Sequence, residues 1–192
     1  GEKFQICIVA NHKVGLKDIH TLKQLQQTLE QTEVMNNGKP LDKFLMSGVV
    51  ETQIYWNENQ PIFTVSRPLD LIRAASKIRL RIENITINIK GVNYLMEGVP
   101  KVKLINYTNK ASLLSGNVDV SSASKYSTEY QLMKGVNLNE TNDATYWTTH
   151  LPYYSYENDW SKDSDSETYL LVQLYLCADN GTSKPFYYRI PV

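Results

Sequence analysis

Residues 168–190 read TYLLVQLYLCADNGTSKPFYYRI and contain the strongest structural signal in the chain. Residues 168–178 are nearly all apolar, which is typical of a strand that is buried in a core. The Asp-Asn-Gly sequence at 179–181 tolerates positive φ and favours a tight turn. Residues 186–190 then supply a returning apolar strand. The stretch therefore predicts an antiparallel hairpin.

The N-terminal region combines a strand with the one helix that the sequence predicts. Residues 4–10 are nearly apolar and indicate a strand. Residues 19–29 carry isoleucine and leucine at three- and four-residue spacing, which predicts an amphipathic helix. Asp18 is a candidate N-cap, and Thr21 with Gln24 offers an alternative capping box one turn later.

From residue 44 onward the apolar period changes from helical to two. Between residues 77 and 90, isoleucine and leucine alternate with charged residues, but the alternation reverses near Glu83 and Asn84. Such a reversal turns the side chains to the other face, so we expect a bulge or bend where the strand passes between layers or domains. Further strand candidates are residues 44–50, 53–57, 62–66, 101–107 and 130–133.

The pattern as a whole predicts a mainly β fold. Many short strands separated by turn residues, with a single helix, are typical of a β-sandwich with Greek-key character. Residues 141–167 are polar, acidic and aromatic and include Pro152. We expect this segment to be a long surface loop.

The charges argue against nucleic acid and anionic lipid as partners. Twenty basic and twenty acidic residues cancel, so the chain has no net field that would attract a polyanion. Lys77, Arg79 and Arg81 define a basic strand face that Lys101 and Lys103 extend. Because no aromatic residues are interleaved on that face, we expect a solvated sheet surface.

The ionisable residues form no catalytic pattern. His12, His20 and His150 are scattered and have no carboxylate or cysteine at metal-ligand spacing. The sequence contains neither a nucleophile elbow nor a glycine signature for phosphate. We therefore expect no enzymatic activity, no cofactor and no regular metal site.

An acidic run near residue 160 is the best metal candidate in the sequence. Its carboxylates could offer oxygen ligands to calcium, but Thr168 replaces the glycine of an EF-hand and Leu174 replaces its final glutamate. A solvated loop is the preferred interpretation, and an oxygen-rich site of other geometry is the alternative. The carboxylates are those of Asp159, Asp163, Asp165 and Glu167.

The two cysteines lie near opposite ends of the chain, each within an apolar run. We expect Cys7 and Cys177 to be buried thiols that act as small hydrophobic side chains. A single long-range disulfide between them is the alternative.

The aromatic residues of the predicted loop have two interpretations. The preferred one is an apolar lid that closes one end of the sandwich. In the other, the rings form a platform on which a sugar ring stacks. The candidate residues are Trp147, Tyr153, Tyr154, Tyr156 and Trp160.

Four stretches of the chain carry a family resemblance through their order and spacing. They are IVAN at 8–11 with the helix and FLMSG at 44–48, LDLIRAASKI at 69–78, VKLINY at 102–107, and YEN at 156–158 with FYYRIP at 186–191. On these stretches the chain resembles the fimbrillin family of Bacteroidetes, including its anchor and minor-subunit branch.

The resemblance implies a specific domain organisation. Fimbrillins have two transthyretin-like β-sandwich domains, which we place at residues 1–73, with the helix, and at residues 74–192. Family members carry further strands before residue 8 and after residue 191. The chain therefore resembles a member that lacks terminal strands at both ends, which would leave the strands at 4–10 and 186–190 with open edges.

The resemblance also implies a function. The expected role is a structural or adhesive subunit of a cell-surface fimbria at the outer membrane, exported as a lipoprotein whose lipid anchor lies outside this chain. The expected partners are other fimbrial subunits, joined by β-strand addition, and a host or glycan surface. The alternative is a surface carbohydrate-binding module that uses the aromatic loop.

Overall fold

The computed structural model describes residues 2–31, 35–36, 39–40, 43–54, 68–83, 86–114, 125–138, 145–158, 160 and 163–192. The predicted strand at 62–66 and the predicted bend at Asn84 lie outside these ranges. In chain order the elements are β1 (Glu2–Ala10), α1 (Leu22–Gln27), β2 (Leu29–Gln31), β3 (Met35–Asn36), β4 (Lys39–Pro40), β5 (Met46–Ile54), β6 (Ile72–Arg73), β7 (Ala75–Ile78), β8 (Arg81–Glu83), β9 (Thr86–Ile89), β10 (Val92–Ile105), β11 (Lys110–Ser112), β12 (Gln131–Leu132), β13 (Lys134–Val136), β14 (Tyr146–Thr148), β15 (Tyr153–Tyr156), the 3₁₀ helix η1 (Ser164–Ser166), β16 (Tyr169–Ala178) and β17 (Ser183–Pro191). The predicted mainly β fold, consistent with a sandwich, is confirmed.

The predicted C-terminal hairpin is present. Strands β16 and β17 are paired from Tyr169 with Pro191 to Cys177 with Ser183, and Gly181 has the positive φ of 79° that the turn requires. On its other side β16 pairs with β10, giving a sheet in the order β12-β10-β16-β17 with β9 also attached to β10. Alternate residues of β16 are buried, so one face of this sheet covers a core.

The helix is shorter than the sequence predicts. It begins after Thr21, whose hydroxyl accepts from the backbone N–H of Gln24, while the Gln24 side chain accepts from the Thr21 N–H. The capping box is therefore confirmed, and Asp18 as N-cap is wrong. The helix ends at Thr28 because Leu29–Gln31 pairs with β11 as a strand. No helix among the described residues has the length and apolar character needed to cross a bilayer.

The surface loop predicted at 141–167 is wrong at residues 146–148 and 153–156, which form strands; residues 141–144, 159, 161 and 162 lie outside the described ranges. Strand β14 lies between β13 and β8, and strand β15 pairs with β7. Every residue of β15 is buried. Pro152 immediately precedes β15, where a proline removes no hydrogen bond from the ladder.

The buried side chains form two clusters. The main core lies beneath the five-stranded sheet and contains Ile78, Val102, Leu104, Met133, Tyr153, Leu170, Val172, Leu174 and Leu176. The second core contains Leu45, Ala75, Ala111, Leu113, Tyr154 and Tyr156, with Val9, Ile19, Leu25, Phe44 and Ala74 packed around it.

The ladder between β7 and β15 connects the two cores. Tyr153 pairs with Ile78, and both side chains belong to the main core. Tyr156 pairs with Ala75, and both belong to the second core. The domain division at residues 73 and 74 stays a prediction. The chain changes from the β5 ladder to the β15 ladder at that point, but Leu45 packs in the same core as residues beyond it.

We expect Tyr153→Phe to lower the free energy of unfolding by about 1–2 kcal/mol, because a buried hydrogen bond is lost. The Tyr153 hydroxyl is buried and donates to the Val102 carbonyl at 2.8 Å. Urea unfolding followed by tryptophan fluorescence measures the change. Tyr188→Phe, on an exposed ring, is the matched control and should change stability by less than about 0.5 kcal/mol. Equal effects of the two substitutions would contradict the assigned role.

Candidate functional site

Three of the five candidate aromatics lie inside the protein. Tyr153 is fully buried in the main core. Tyr154 and Tyr156 extend from the opposite face of β15 into the second core, where the Tyr154 ring stacks on Phe44 with centroids 4.8 Å apart. The β-propensity of tyrosine was a usable signal for this strand, but the polar residues around it concealed the signal.

The two tryptophans lie elsewhere. Trp147 is half-buried in β14 and packs against the main core, whereas Trp160 is 41% exposed. The five candidates therefore do not share one surface, since Tyr153 and Tyr154 point to opposite sides of β15. A role for any of them as lid or ligand stays a prediction.

The acidic segment is used in local hydrogen bonding. The Asp163 carboxylate accepts from the Asp165 N–H at 3.1 Å and from the Ser166 hydroxyl at 2.5 Å, and so caps η1. The Ser166 hydroxyl, and then the Asp165 N–H, hold the pKa of Asp163 below its usual value. Glu167 forms a salt bridge to Arg189 at 2.6 Å. The part of the chain that the structure describes, which omits Asp159, holds no group of three metal-ligating side chains.

Asn158 links this acidic segment to the end of the five-stranded sheet by hydrogen bonds. Its amide donates to the Ser166 carbonyl at 2.7 Å, the Thr168 hydroxyl at 2.7 Å and the Asn106 carbonyl at 3.2 Å. The Asn106 amide in turn donates to the Asp165 carbonyl at 2.7 Å. This network holds the ends of β10 and β16 together, which gives the segment a structural role.

Two predictions need correction, one about the basic strand face and one about the cysteines. The basic residues do have aromatic neighbours, because the Arg81 guanidinium lies 3.9 Å from the Tyr146 ring centroid and the Lys103 ammonium 4.8 Å from that of Tyr130. Cys7 and Cys177 are free thiols, which excludes the disulfide alternative in this structure. Both are half-buried where full burial was expected.

The most distinctive site is an open groove beside β17. Strand β17 pairs with β16 along one edge, and no described strand pairs with its other edge. A cavity of about 280 Å³ opens into the main core next to this free edge. Its lining is almost entirely apolar and consists of Ile82, Ile87, Val172, Leu174, Tyr188, Arg189 and Ile190.

A second groove lies between β1 and α1. Among the described residues, β1 pairs only with β5, so its other edge is also free. A cavity of about 480 Å³ lies between the strand and the helix. It is lined by Gln5, Cys7, Leu16, Ile19, His20, Thr21, Leu22 and Leu25. Both strand edges that the sequence predicted to be open are therefore next to grooves.

We expect the stability of the protein to fall as the pH rises from about 10 to about 12. Burial raises the pKa of Tyr153 to about 12, against the opposing effect of a hydrogen bond with Thr128. Above the ordinary tyrosine pKa of about 10 the unfolded chain loses this proton while the folded chain keeps it, so unfolding becomes more favourable. Urea unfolding at several pH values measures the slope. Tyr153→Phe should reduce the slope and Tyr188→Phe should leave it unchanged, and a slope that is insensitive to Tyr153→Phe would contradict the assignment.

Comparison with known proteins identifies a relative. No family model matches the chain. Its sequence is 31% identical over 164 residues to the major fimbrium tip subunit FimD of Porphyromonas gingivalis, in strain ATCC 33277 and in a second sequence from the species. The match covers 83% of this chain and 22% of the relative, so the chain spans about a fifth of the length of the curated relatives that it matches. This relative, a fimbrial protein, supports the resemblance that the sequence motifs carry to the fimbrillin family of Bacteroidetes.

Proposed function

We propose that this chain is part of a structural or adhesive subunit of a bacterial surface fimbria and that it acts by binding other subunits. The relative is named as a fimbrium tip subunit, and a mainly β fold with open strand edges suits a fibre component. Its proposed location is the cell surface, at the outer membrane, with any lipid anchor outside these residues. Its proposed partners are other fimbrial subunits, and catalysis forms no part of the role.

The groove beside β17 is the proposed site of assembly. A strand from a neighbouring subunit would lie along the free edge of β17 and continue the ladder β10-β16-β17. Its backbone N–H and C=O groups would pair with those that β17 leaves open. The single observation that carries this proposal is the coincidence of a free strand edge with an apolar cavity into the main core.

The chemistry of the groove favours a strand with alternating apolar side chains. Successive residues of a strand point to opposite faces, so every second side chain of the donor would enter the cavity between Ile87 and Tyr188. Each apolar side chain that becomes fully buried contributes about 1.5–3 kcal/mol. Tyr188 is 38% exposed although it lies on the core side of β17, and a donor strand would cover it.

We expect Ile87→Trp to block assembly without unfolding the subunit. Ile87 is half-buried and lines the cavity, so a larger ring would occupy the volume that a donor side chain needs. The measurement is incorporation of the epitope-tagged full-length protein into fibres, together with the melting temperature of the variant. Leu138→Trp is the matched control because Leu138 is 65% exposed and lies away from the cavity.

A folded Ile87→Trp variant that assembles as well as the Leu138→Trp control would exclude strand addition at this groove. Immunogold electron microscopy of unmodified cells tests the broader proposal separately. An antibody to this chain should label fibres on intact cells. Labelling only after permeabilisation would contradict the fimbrial role itself.

A further inference from the structure

The solvent side of the five-stranded sheet carries a continuous set of tyrosine, leucine and lysine side chains. Residues that pair across antiparallel strands point to the same face. Four residues form a row across β12, β10, β16 and β17 because they pair in turn: Leu132, Lys101, Gln173 and Tyr187. We call this side the outer face, and its main residues are Lys101, Lys103, Tyr130, Leu132, Tyr175 and Tyr187.

The outer face exposes more apolar surface than a solvated sheet requires. Leu132 is 59% exposed and Tyr187 57%, while Tyr175 and Tyr130 are each more than a third exposed. Large contiguous apolar patches are uncommon on proteins that act alone, and they mark sites of association. Tyrosine is also among the residues that are enriched at protein–protein contacts.

The tyrosine rings of the outer face are held in place. The Gln173 amide donates to the Tyr187 hydroxyl at 3.1 Å and to the Tyr175 hydroxyl at 3.4 Å. The Lys103 ammonium lies 4.8 Å from the centroid of the Tyr130 ring. Burial, and then the charges of the ionised Tyr187 and Tyr169 phenols, raise the pKa of Tyr130. Rings that are ordered in advance lose less entropy on binding.

The charges of the outer face indicate the chemistry of its partner. Arg189 is neutralised by Glu167, but neither Lys101 nor Lys103 forms a salt bridge to any described residue. Glu97 pairs with Tyr175 and so lies on the same face, but it forms no salt bridge to either lysine. The face therefore keeps a net positive charge between its apolar side chains. Interfaces pair such charges with opposite ones, so a complementary surface has carboxylates. The aliphatic side chain of Leu132 favours a protein over a glycan, because it gains burial only against other apolar groups.

We propose that the outer face is a second interface, which binds an acidic protein surface by packing against its tyrosines and by pairing Lys101 and Lys103 with carboxylates. This interface is distinct from the proposed strand addition. A donor strand would occupy the free edge of β17 and the cavity on the core side of the sheet, whereas the outer face lies on the opposite side. Either interface can be lost without the other.

Zero-length carbodiimide coupling on cells that display the full-length protein tests this interface. The reagent forms an amide bond between a lysine amine and a carboxylate in direct contact with that amine, and mass spectrometry identifies the two coupled residues. We expect Lys101 and Lys103 to couple to Asp or Glu of another polypeptide, and the exposed Lys134 of β13 to serve as the matched control. Coupling no more frequent than at Lys134, or coupling only within the chain, would overturn the proposal. Coupling to Glu97 on the outer face of a second copy would also overturn it, since the partner would then be this chain and not a separate acidic surface.

Binding to defined polyanions distinguishes a protein partner from a glycan. The full chain is titrated with poly-L-glutamate and with heparin. We expect poly-L-glutamate to bind in a salt-sensitive manner, about tenfold more weakly to the Lys101→Glu/Lys103→Glu variant and unchanged by Lys134→Glu. If heparin binds more tightly than poly-L-glutamate and the same double substitution abolishes its binding, the outer face is a glycan site and the proposal fails. If the affinity for each polyanion is the same in all variants, the proposal also fails. Incorporation of the double variant into fibres is measured separately, because strand addition does not require these lysines.

Discussion

The ladder between β7 and β15 is the contact on which the rest of the structure depends. Ile78 and Tyr153 belong to the main core, whereas Ala75, Tyr154 and Tyr156 belong to the second core, so one short pair of strands contributes to both. The buried Tyr153 hydroxyl ties this ladder to the Val102 carbonyl of β10, in the long strand of the five-stranded sheet. Because a buried tyrosine oxygen without a partner is costly, this hydrogen bond fixes the position of β15 beneath the sheet.

This arrangement leaves the five-stranded sheet with three different surfaces. One face covers the main core, the outer face is rich in tyrosine and lysine, and the free edge of β17 borders an apolar cavity. Charges and prolines commonly protect such an edge, and β17 carries Lys184, Pro185, Arg189 and Pro191, so its free edge is protected in part. The proposed donor strand would occupy the free edge, and the proposed acidic partner would bind the outer face.

The sequence predicted the elements that local patterns determine. The hairpin of β16 and β17 follows from an apolar run, a turn and a second apolar run, and the Thr21–Gln24 capping box is contained within four residues. The remaining elements depend on contacts between distant segments, which local sequence patterns do not reveal. Leu29 leaves the helical pattern because Leu29–Gln31 pairs with the distant strand Lys110–Ser112. The sequence predicts a loop where β15 forms, because its tyrosines suit both water and a core. Only pairing with the distant strand β7 decides between the two environments.

The candidate site was predictable in part for the same reason. The open edges at residues 4–10 and 186–190 followed from the family resemblance, and the structure places a cavity beside each. The contact of Arg81 with Tyr146 crosses from β8 to β14, and that of Lys103 joins β10 to Tyr130, the residue before β12. Such contacts depend on register, which composition does not encode.

Amide hydrogen exchange of β17 tests the central claim most directly. In the isolated chain the outward-facing amides of Ser183–Pro191 should exchange much faster than those of β16, because a free edge leaves them open to water. In assembled fibres the same amides should become protected, while β16 changes little. Protection of β17 in the isolated chain that already equals that of β16, with no further change on assembly, would contradict the account.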